Sequence, residues 1–377
     1  MHSGETHGMN VPFVDLHAQY QSIRSEIDAA MGEVIAESAF VRGPHVERFE
    51  RAWAETLGMR HCVSCANGTD ALYITMRGLQ LKPGDEVITT AHSWIATSET
   101  ITQAGGRVVF CDTDENTFNI NPALIEAKIT PRTVGIIPVH LYGQSADMEA
   151  IMAIAAKHRL WVIEDCAQAH LARFKGRLVG TFGNAATFSF YPGKNLGAYG
   201  DAGCIVTNDD KLADWTATFA RHGGKGDHVM EGINSRLDGL QAAILNVKLP
   251  HLLDWTGARR KVASRYDGLL NGVGDIKTPE IGRDRDHVYH LYVIRTEKRD
   301  ALKKYLAGAG IATVSNYPKA LPFYPAYRYL GHQPTDFPVA YRNQSRILSL
   351  PIFPEMSDDM ILYTASRVKG YFNSSNA

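Results

Sequence analysis

The sequence has no run of eighteen or more apolar residues, which excludes an ordinary membrane-spanning helix. Its opening stretch, Met1-His-Ser-Gly-Glu-Thr-His-Gly-Met-Asn10, lacks a hydrophobic signal core, so a cytoplasmic protein with a frayed N-terminal tail is expected. No charge of one sign dominates: 39 basic residues stand against 40 acidic ones. Neither nucleic acid nor an anionic membrane therefore has an electrostatic hold on the chain, and any phosphate-bearing ligand must be held locally. Cysteine is scarce and odd in number, five in 377 residues, which argues for reduced thiols rather than a disulfide framework. Cys62 and Cys65 form a Cys-x-x-Cys, but no second pair or histidine cluster follows at zinc spacing, so buried thiols and no metal site are expected. Internal repeats, low-complexity blocks and long like-charge runs are also missing.

What is present is an ordinary globular composition, 45% hydrophobic and 21% charged, in a chain long enough for two joined domains. After Val11-Pro-Phe-Val-Asp-Leu, apolar residues at Ile23, Ile27, Met31, Val34 and Ile35 have the spacing of one helix face. β-rich runs at 87–90, 107–111, 134–137, 160–163, 186–190 and 204–207 then alternate with helical patterns, whose starts are marked by Asn67 to Asp70, Asn121-Pro122 and Asn208-Asp-Asp. The alternation predicts a three-layer α/β domain over residues 11–236 with a largely parallel sheet. From 237 a long helical run, broken near Pro250, opens a smaller α+β domain that reaches 377.

One lysine sits in a glycine-punctuated turn between two apolar runs, Phe188-Ser-Phe-Tyr-Pro-Gly-Lys-Asn-Leu-Gly-Ala-Tyr-Gly-Asp-Ala-Gly203. A lysine fixed by such a turn and partly desolvated has a lowered pKa and an amine able to attack a carbonyl carbon; a solvated surface lysine is the plain alternative. In Trp161-Val-Ile-Glu-Asp-Cys-Ala-Gln-Ala-His170, Asp165 falls at the C-terminal end of a strand, the edge of a parallel sheet where ligands bind. Capping the next turn is its plain alternative. Lys194 and Asp165 together suit pyridoxal phosphate, which needs a lysine for its aldehyde, an acid against its ring nitrogen, a flat group on its ring face and donors around its phosphate. Gln168 is placed to reach the ring hydroxyl and Trp94 to cover the ring. Gly68 and Thr69 at a helix start, with the Ser189 hydroxyl, suit the phosphate. Core packing of Trp94, a strand hydroxyl at Ser189 and a simple helix cap at Gly68-Thr69 are the alternatives.

These residues lie within a longer series: Val11-Pro-Phe-Val-Asp-Leu, Ala66-Asn-Gly-Thr-Asp-Ala-Leu72, Pro83-Gly-Asp-Glu-Val87, Pro138-Val-His-Leu-Tyr-Gly143, Glu164-Asp-Cys-Ala-Gln168, the Lys194 turn, and Gly232-Ile-Asn-Ser-Arg-Leu-Asp-Gly-Leu-Gln-Ala-Ala243. The series resembles the sugar aminotransferases of the DegT/StrS type, pyridoxal-phosphate enzymes of the aspartate-aminotransferase fold, over nearly the whole chain. The resemblance implies that Lys194 forms the Schiff base, Asp165 pairs with the ring nitrogen, Gln168 meets the ring hydroxyl, Trp94 stacks, and Gly68, Thr69 and Ser189 hold the phosphate. It also implies that Asn234 reaches the phosphate of a neighbouring subunit, hence a homodimer with shared active sites.

The lysine turn and His170 resemble the subgroup that aminates C-3 of nucleotide-linked 3-keto-6-deoxy sugars. The implied reaction takes an amino group from L-glutamate, passes it through pyridoxamine phosphate and delivers it to such a sugar, dTDP-linked. His170, Arg221, His290 and Tyr317 are the candidate substrate contacts. Leu171-Ala-Arg-Phe and Asn316-Tyr-Pro depart from the subgroup's usual residues where sugar contacts are expected. The alternatives are a UDP-linked 3-keto uronic acid, a 4-keto sugar or a keto-cyclitol as acceptor, and, in another class, a regulator that binds the same cofactor. A dehydratase of this fold carries histidine in place of the lysine.

Overall fold

Eleven strands organise the computed structural model, which describes residues 9–224 and 226–374. They are β1 (His61–Cys65), β2 (Glu86–Thr90), β3 (Arg107–Cys111), β4 (Thr133–Ile137), β5 (Trp161–Asp165), β6 (Arg173–Phe174), β7 (Arg177–Leu178), β8 (Ala185–Ser189), β9 (Gly203–Thr207), β10 (Tyr292–Arg295) and β11 (Ile347–Leu350). Seven of them form one sheet in the order β1-β9-β8-β5-β4-β2-β3. From β3 to β8 every pairing is parallel, while β9 runs antiparallel to both β8 and β1. Helices cover both faces, so β2 and β9 are buried at every residue, as strands of a covered sheet must be. The expected three-layer α/β architecture is present. Strand β1 carries the Cys-x-x-Cys and is an addition to the strands expected from the sequence.

Helices form where caps and spacing place them, at Gly68–Gly78 behind Asn67, at Met148–His158 behind Asp147 and at Asp210–Phe219 behind Asp209. Two segments differ. The opening segment splits into Leu16–Ser22 and Arg24–Ala36, with Ile27 and Val34 buried but Ile35 57% exposed, so Ile35 is off the buried face. Behind Asn121 there are only two short 3-10 turns, Pro122–Leu124 and Glu126–Lys128. Ile129 takes an extended conformation (φ −75°, ψ 129°), which ends the helical turns ahead of Pro131.

Near Pro250 the chain forms the Gly239–Lys248 helix, a 3-10 turn at Leu249–His251 and the Leu252–Leu270 helix, so the expected break is present. Ala242 and Leu245 share a core with Phe49 and Trp53 of the larger unit. The smaller core gathers Val262, Tyr266, Tyr292, Leu302, Leu348 and Phe372 around the β10–β11 pair. Val11 joins that core, its N–H bonded to Gly310 O at 2.9 Å, whereas Leu321, Tyr327 and Phe337 pack on Leu72 and Val87 beside the main sheet. We propose that the smaller unit begins within the Leu252–Leu270 helix rather than at 237, with the segment at Val11 joining it from the start of the chain and the segment around 321–340 returning to the larger unit. No helix among the described residues is long and apolar enough to cross a membrane.

Candidate active site

The carboxyl ends of β1 and β8 meet the start of the Gly68–Gly78 helix. A Cβ built on Gly68 would stand 2.7 Å from Ser189 Cβ, and one on Gly203 would stand 2.3 Å from the Asn67 carbonyl carbon. Only glycine permits both approaches. The helix start thus lies against Ser189, with Asn67 Oδ1 accepting from Asp70 N–H at 2.8 Å. Ser235 Oγ donates to Asp70 Oδ2 at 2.6 Å and accepts from Ala66 N–H at 3.0 Å, which ties the neighbouring Asn234 to this corner. Asn234 is exposed and bridges Arg221 through the backbone. First-turn amides with the Thr69 and Ser189 hydroxyls give an uncharged anion site with the helix dipole behind it. Ser235 is a member of this corner that motif reading missed.

Asp165 ends β5 and is 5% exposed. Thr97 Oγ1 donates to its Oδ2 at 2.9 Å and Ala167 N–H to its Oδ1 at 3.1 Å. Burial raises the carboxyl pKa, while these two bonds and the charge of Lys194 pull it down. Thr97 lies three residues beyond Trp94, as the second residue of the Ala96–Gln103 helix, a proximity that could have pointed to it. Gln168 Oε1 accepts from Tyr142 N–H at 2.7 Å, and its Nε2 donates to Tyr317 Oη at 2.8 Å. Trp94 is 57% exposed, with its ring 5.6 Å from that of Tyr317. It presents an open ring face beside the site and is not core.

Lys194 is held by a tight turn in which its N–H bonds Tyr191 O and Ala198 N–H bonds Phe190 O, both at 2.8 Å. Burial pushes its ammonium down to about 8, against the pull of Asp165. Roughly a fifth of the amine is therefore neutral near physiological pH, against about a thousandth for a solvated lysine.

The four candidate substrate contacts divide. His170 is 0% exposed, with its ring centre 5.8, 5.5 and 5.6 Å from those of Trp53, Phe188 and Phe190. Burial pushes its imidazole down to about 3. We propose that His170, enclosed by these aromatic rings, supports the lysine turn rather than meeting the sugar. His290 is half-buried, its Nδ1 3.3 Å from Oδ1 of Asn195, the residue after Lys194. Tyr317 stands beside Gln168 and Trp94. Arg221 is half-buried and bridges Asn234 through the backbone, and burial and Arg42 lower its pKa.

His140, Glu164 and Cys166 bring ligand atoms within 4.8 Å of one another. The Glu164 carboxylate is already saturated by the N–H groups of Gly180 (2.8 Å), Phe182 (2.7 Å) and Gly183 (2.9 Å) and by His140 Nε2 (3.0 Å), so it braces the loop before β8.

A model of the DegT/DnrJ/EryC1/StrS aminotransferase family matches residues 21–369. A "pleiotropic regulatory protein" of Geobacillus stearothermophilus is 47% identical over 97% of this chain and 99% of its own. The dTDP-3-amino-3,6-dideoxy-alpha-D-galactopyranose transaminase of Aneurinibacillus thermoaerophilus is 43% identical over 96% of this chain and 99% of its own. The crystal structure of S. venezuelae DesV in complex with a ketimine intermediate matches with a TM-score of 0.93 at 40% identity, covering 96% of this chain and 98% of that one. With the site geometry, these likenesses agree on one conclusion: the chain belongs to the DegT/DnrJ/EryC1/StrS aminotransferase family.

Proposed function

We propose that the chain moves an amino group from L-glutamate to the C-3 keto group of a dTDP-linked 3-keto-6-deoxyhexose, in the cytoplasm, for the synthesis of amino sugars that enter polysaccharides. Pyridoxal 5'-phosphate is the cofactor and pyridoxamine 5'-phosphate its aminated form. The observation that carries this reading is the lowered Lys194 amine, set by a rigid turn close enough to the buried Asp165 for their charges to interact.

The residues present fit the cofactor on their own geometry. The glycine cradle at Gly68 and Gly203 leaves room for backbone amides but not for side chains. When bound, the cofactor supplies an electron sink for the carbanion left as a Cα–H bond breaks. Gly68, Thr69 and Ser189 hold its phosphate, with Asn234 of a second subunit completing the site in a homodimer. Asp165 keeps the ring nitrogen protonated, and the Thr97 bond fixes the carboxylate for that task. Trp94 shields the ring face from water, and Gln168 bonds the ring hydroxyl. Lys194 would hold the cofactor through its aldehyde and, as a free amine, would take the proton from the donor Cα, a dual role that a pKa near 8 allows. His290, Tyr317 and Arg221 are the remaining candidates to meet substrate.

A second reading, a regulator that binds the cofactor, has one observation in its favour, the name carried by the Geobacillus relative. The visible spectrum separates the two. Transamination predicts that glutamate bleaches the yellow protein and that a 3-keto sugar nucleotide restores the colour. A spectrum indifferent to glutamate overturns the proposal in favour of regulation.

A further inference from the structure

The orientation of the Gln168 amide is forced. Its Oε1 accepts from Tyr142 N–H at 2.7 Å, so the group facing Tyr317 Oη at 2.8 Å is Nε2, a donor. The phenol oxygen of Tyr317 is therefore an acceptor in that bond, and its own proton has no acceptor among the described residues. Burial, reinforced by the charge of Asp165, raises the phenol above its ordinary range, so the proton stays on.

The backbone of Tyr317 is fixed at two more points. Its N–H donates to His92 Nε2 at 3.1 Å, and the Tyr142 hydroxyl bonds the carbonyl of Asn316. The Tyr317 ring also leans on Trp94, tilted by 44°. Two hydrogens are thus left without an acceptor among the described residues: the second amide hydrogen of Gln168 and the phenol hydrogen of Tyr317, whose ring lies beside Trp94.

The geometry points to Tyr317 as a cofactor contact, its phenol joining Gln168 as a second donor to the oxygen on the pyridine ring. The inference rests on the pyridoxal-phosphate reading and deepens it, because Tyr317 arrives from the C-terminal part of the chain whereas Gln168 follows β5. The chemistry has a direct consequence. Two donors on the ring oxygen draw its electron density away from the nitrogen bonded to Lys194, which makes that nitrogen less basic. Removing one donor makes it more basic.

The test is a pH titration of the visible absorbance of the holoenzyme, read without substrate. Tyr317→Phe is expected to raise the midpoint by about one pH unit, a tenfold change in the acid constant, and to weaken cofactor affinity about tenfold. Gln168→Glu provides the second variant: its carboxylate takes the phenol hydrogen, both donors are lost, and the midpoint rises by at least as much. An unchanged midpoint in Tyr317→Phe together with a raised KM for the keto sugar overturns the inference and makes Tyr317 a substrate contact. Failure of the unsubstituted protein to take up the cofactor overturns the underlying reading instead.

Discussion

Gly68 and Ser189 are pressed together so closely that a methyl group on Gly68 would overlap Ser189, at 2.7 Å between the two Cβ atoms. The contact joins a helix start to a strand end, the junction we propose for the cofactor phosphate. Gly68→Ala is expected to cost about 1–3 kcal/mol through overpacking, because Ser189 is strand backbone and cannot swing away. Cofactor affinity should fall about tenfold or more, since the first-turn amides shift with the helix. Equilibrium dialysis with pyridoxal phosphate and urea unfolding of the same variant measure both effects.

Asp165 and Lys194 are coupled through charge, and the sign of the coupling is testable in the apoprotein. The neutral amine of Lys194 is the form that captures an aldehyde, so the rate of cofactor capture should rise with pH and level off above about 8. Asp165 raises the Lys194 pKa, so Asp165→Asn should move that midpoint down; stopped-flow absorbance measures it, and an upward movement contradicts the assignment. Stability follows the same linkage. An unfolded lysine titrates at about 10.4, so between about 8 and 10.4 the unfolded chain holds more protons, and the apoprotein gains stability as pH rises through that window.

Glu164 is fully buried and serves four donors, three of them backbone amides. Glu164→Ala strands those amides in the interior and should destabilise by about 3–5 kcal/mol, with Glu164→Gln losing less because it keeps one acceptor. Urea unfolding gives the difference. A chelator should leave the melting temperature unchanged, because the carboxylate braces a loop and does not hold a metal.

Asn234 is exposed in the single chain although Ser235 beside it is anchored to Asp70, which suits a side chain that serves a second subunit. If sites are shared across a two-fold dimer, Lys194→Ala and Asn234→Asp are each nearly inactive alone, yet mixed subunits regain about a quarter of normal activity, because each mixed dimer holds one intact site. Mixing after mild denaturation and refolding, followed by an activity assay, reads this directly. No recovery places Asn234 in the site of its own chain.

Most of the sheet was legible because covered parallel strands are short apolar runs, and six of its seven strands announce themselves that way. Strand β1 did not: His61-Cys-Val-Ser-Cys65 mixes polar and apolar residues, and its place is set by pairing with β9. Lys194, Asp165 and Gln168 were legible because each sits at a strand end or glycine turn, where local sequence dictates position. Tyr142 and His92, which support them, were not, since they lie between elements and meet the site only where the sheet brings those connections together. The burial of His170 was not legible either: its chain neighbours are candidate site residues, but the helix carrying Trp53 packs against its ring.

Two lysines, the half-buried Lys194 and the fully buried Lys248, have ammonium groups pushed down to about 8. Lys248 Nζ is already committed, donating to Gly197 O at 2.8 Å and lying 4.2 Å from the centre of the Tyr199 ring, so it anchors the turn that carries Lys194. Reduction of the holoenzyme with borohydride fixes the cofactor to whichever lysine holds it, and peptide mass mapping then identifies that residue. The account predicts the phosphopyridoxyl group on Lys194 alone. A label on Lys248, or on any other lysine, contradicts it.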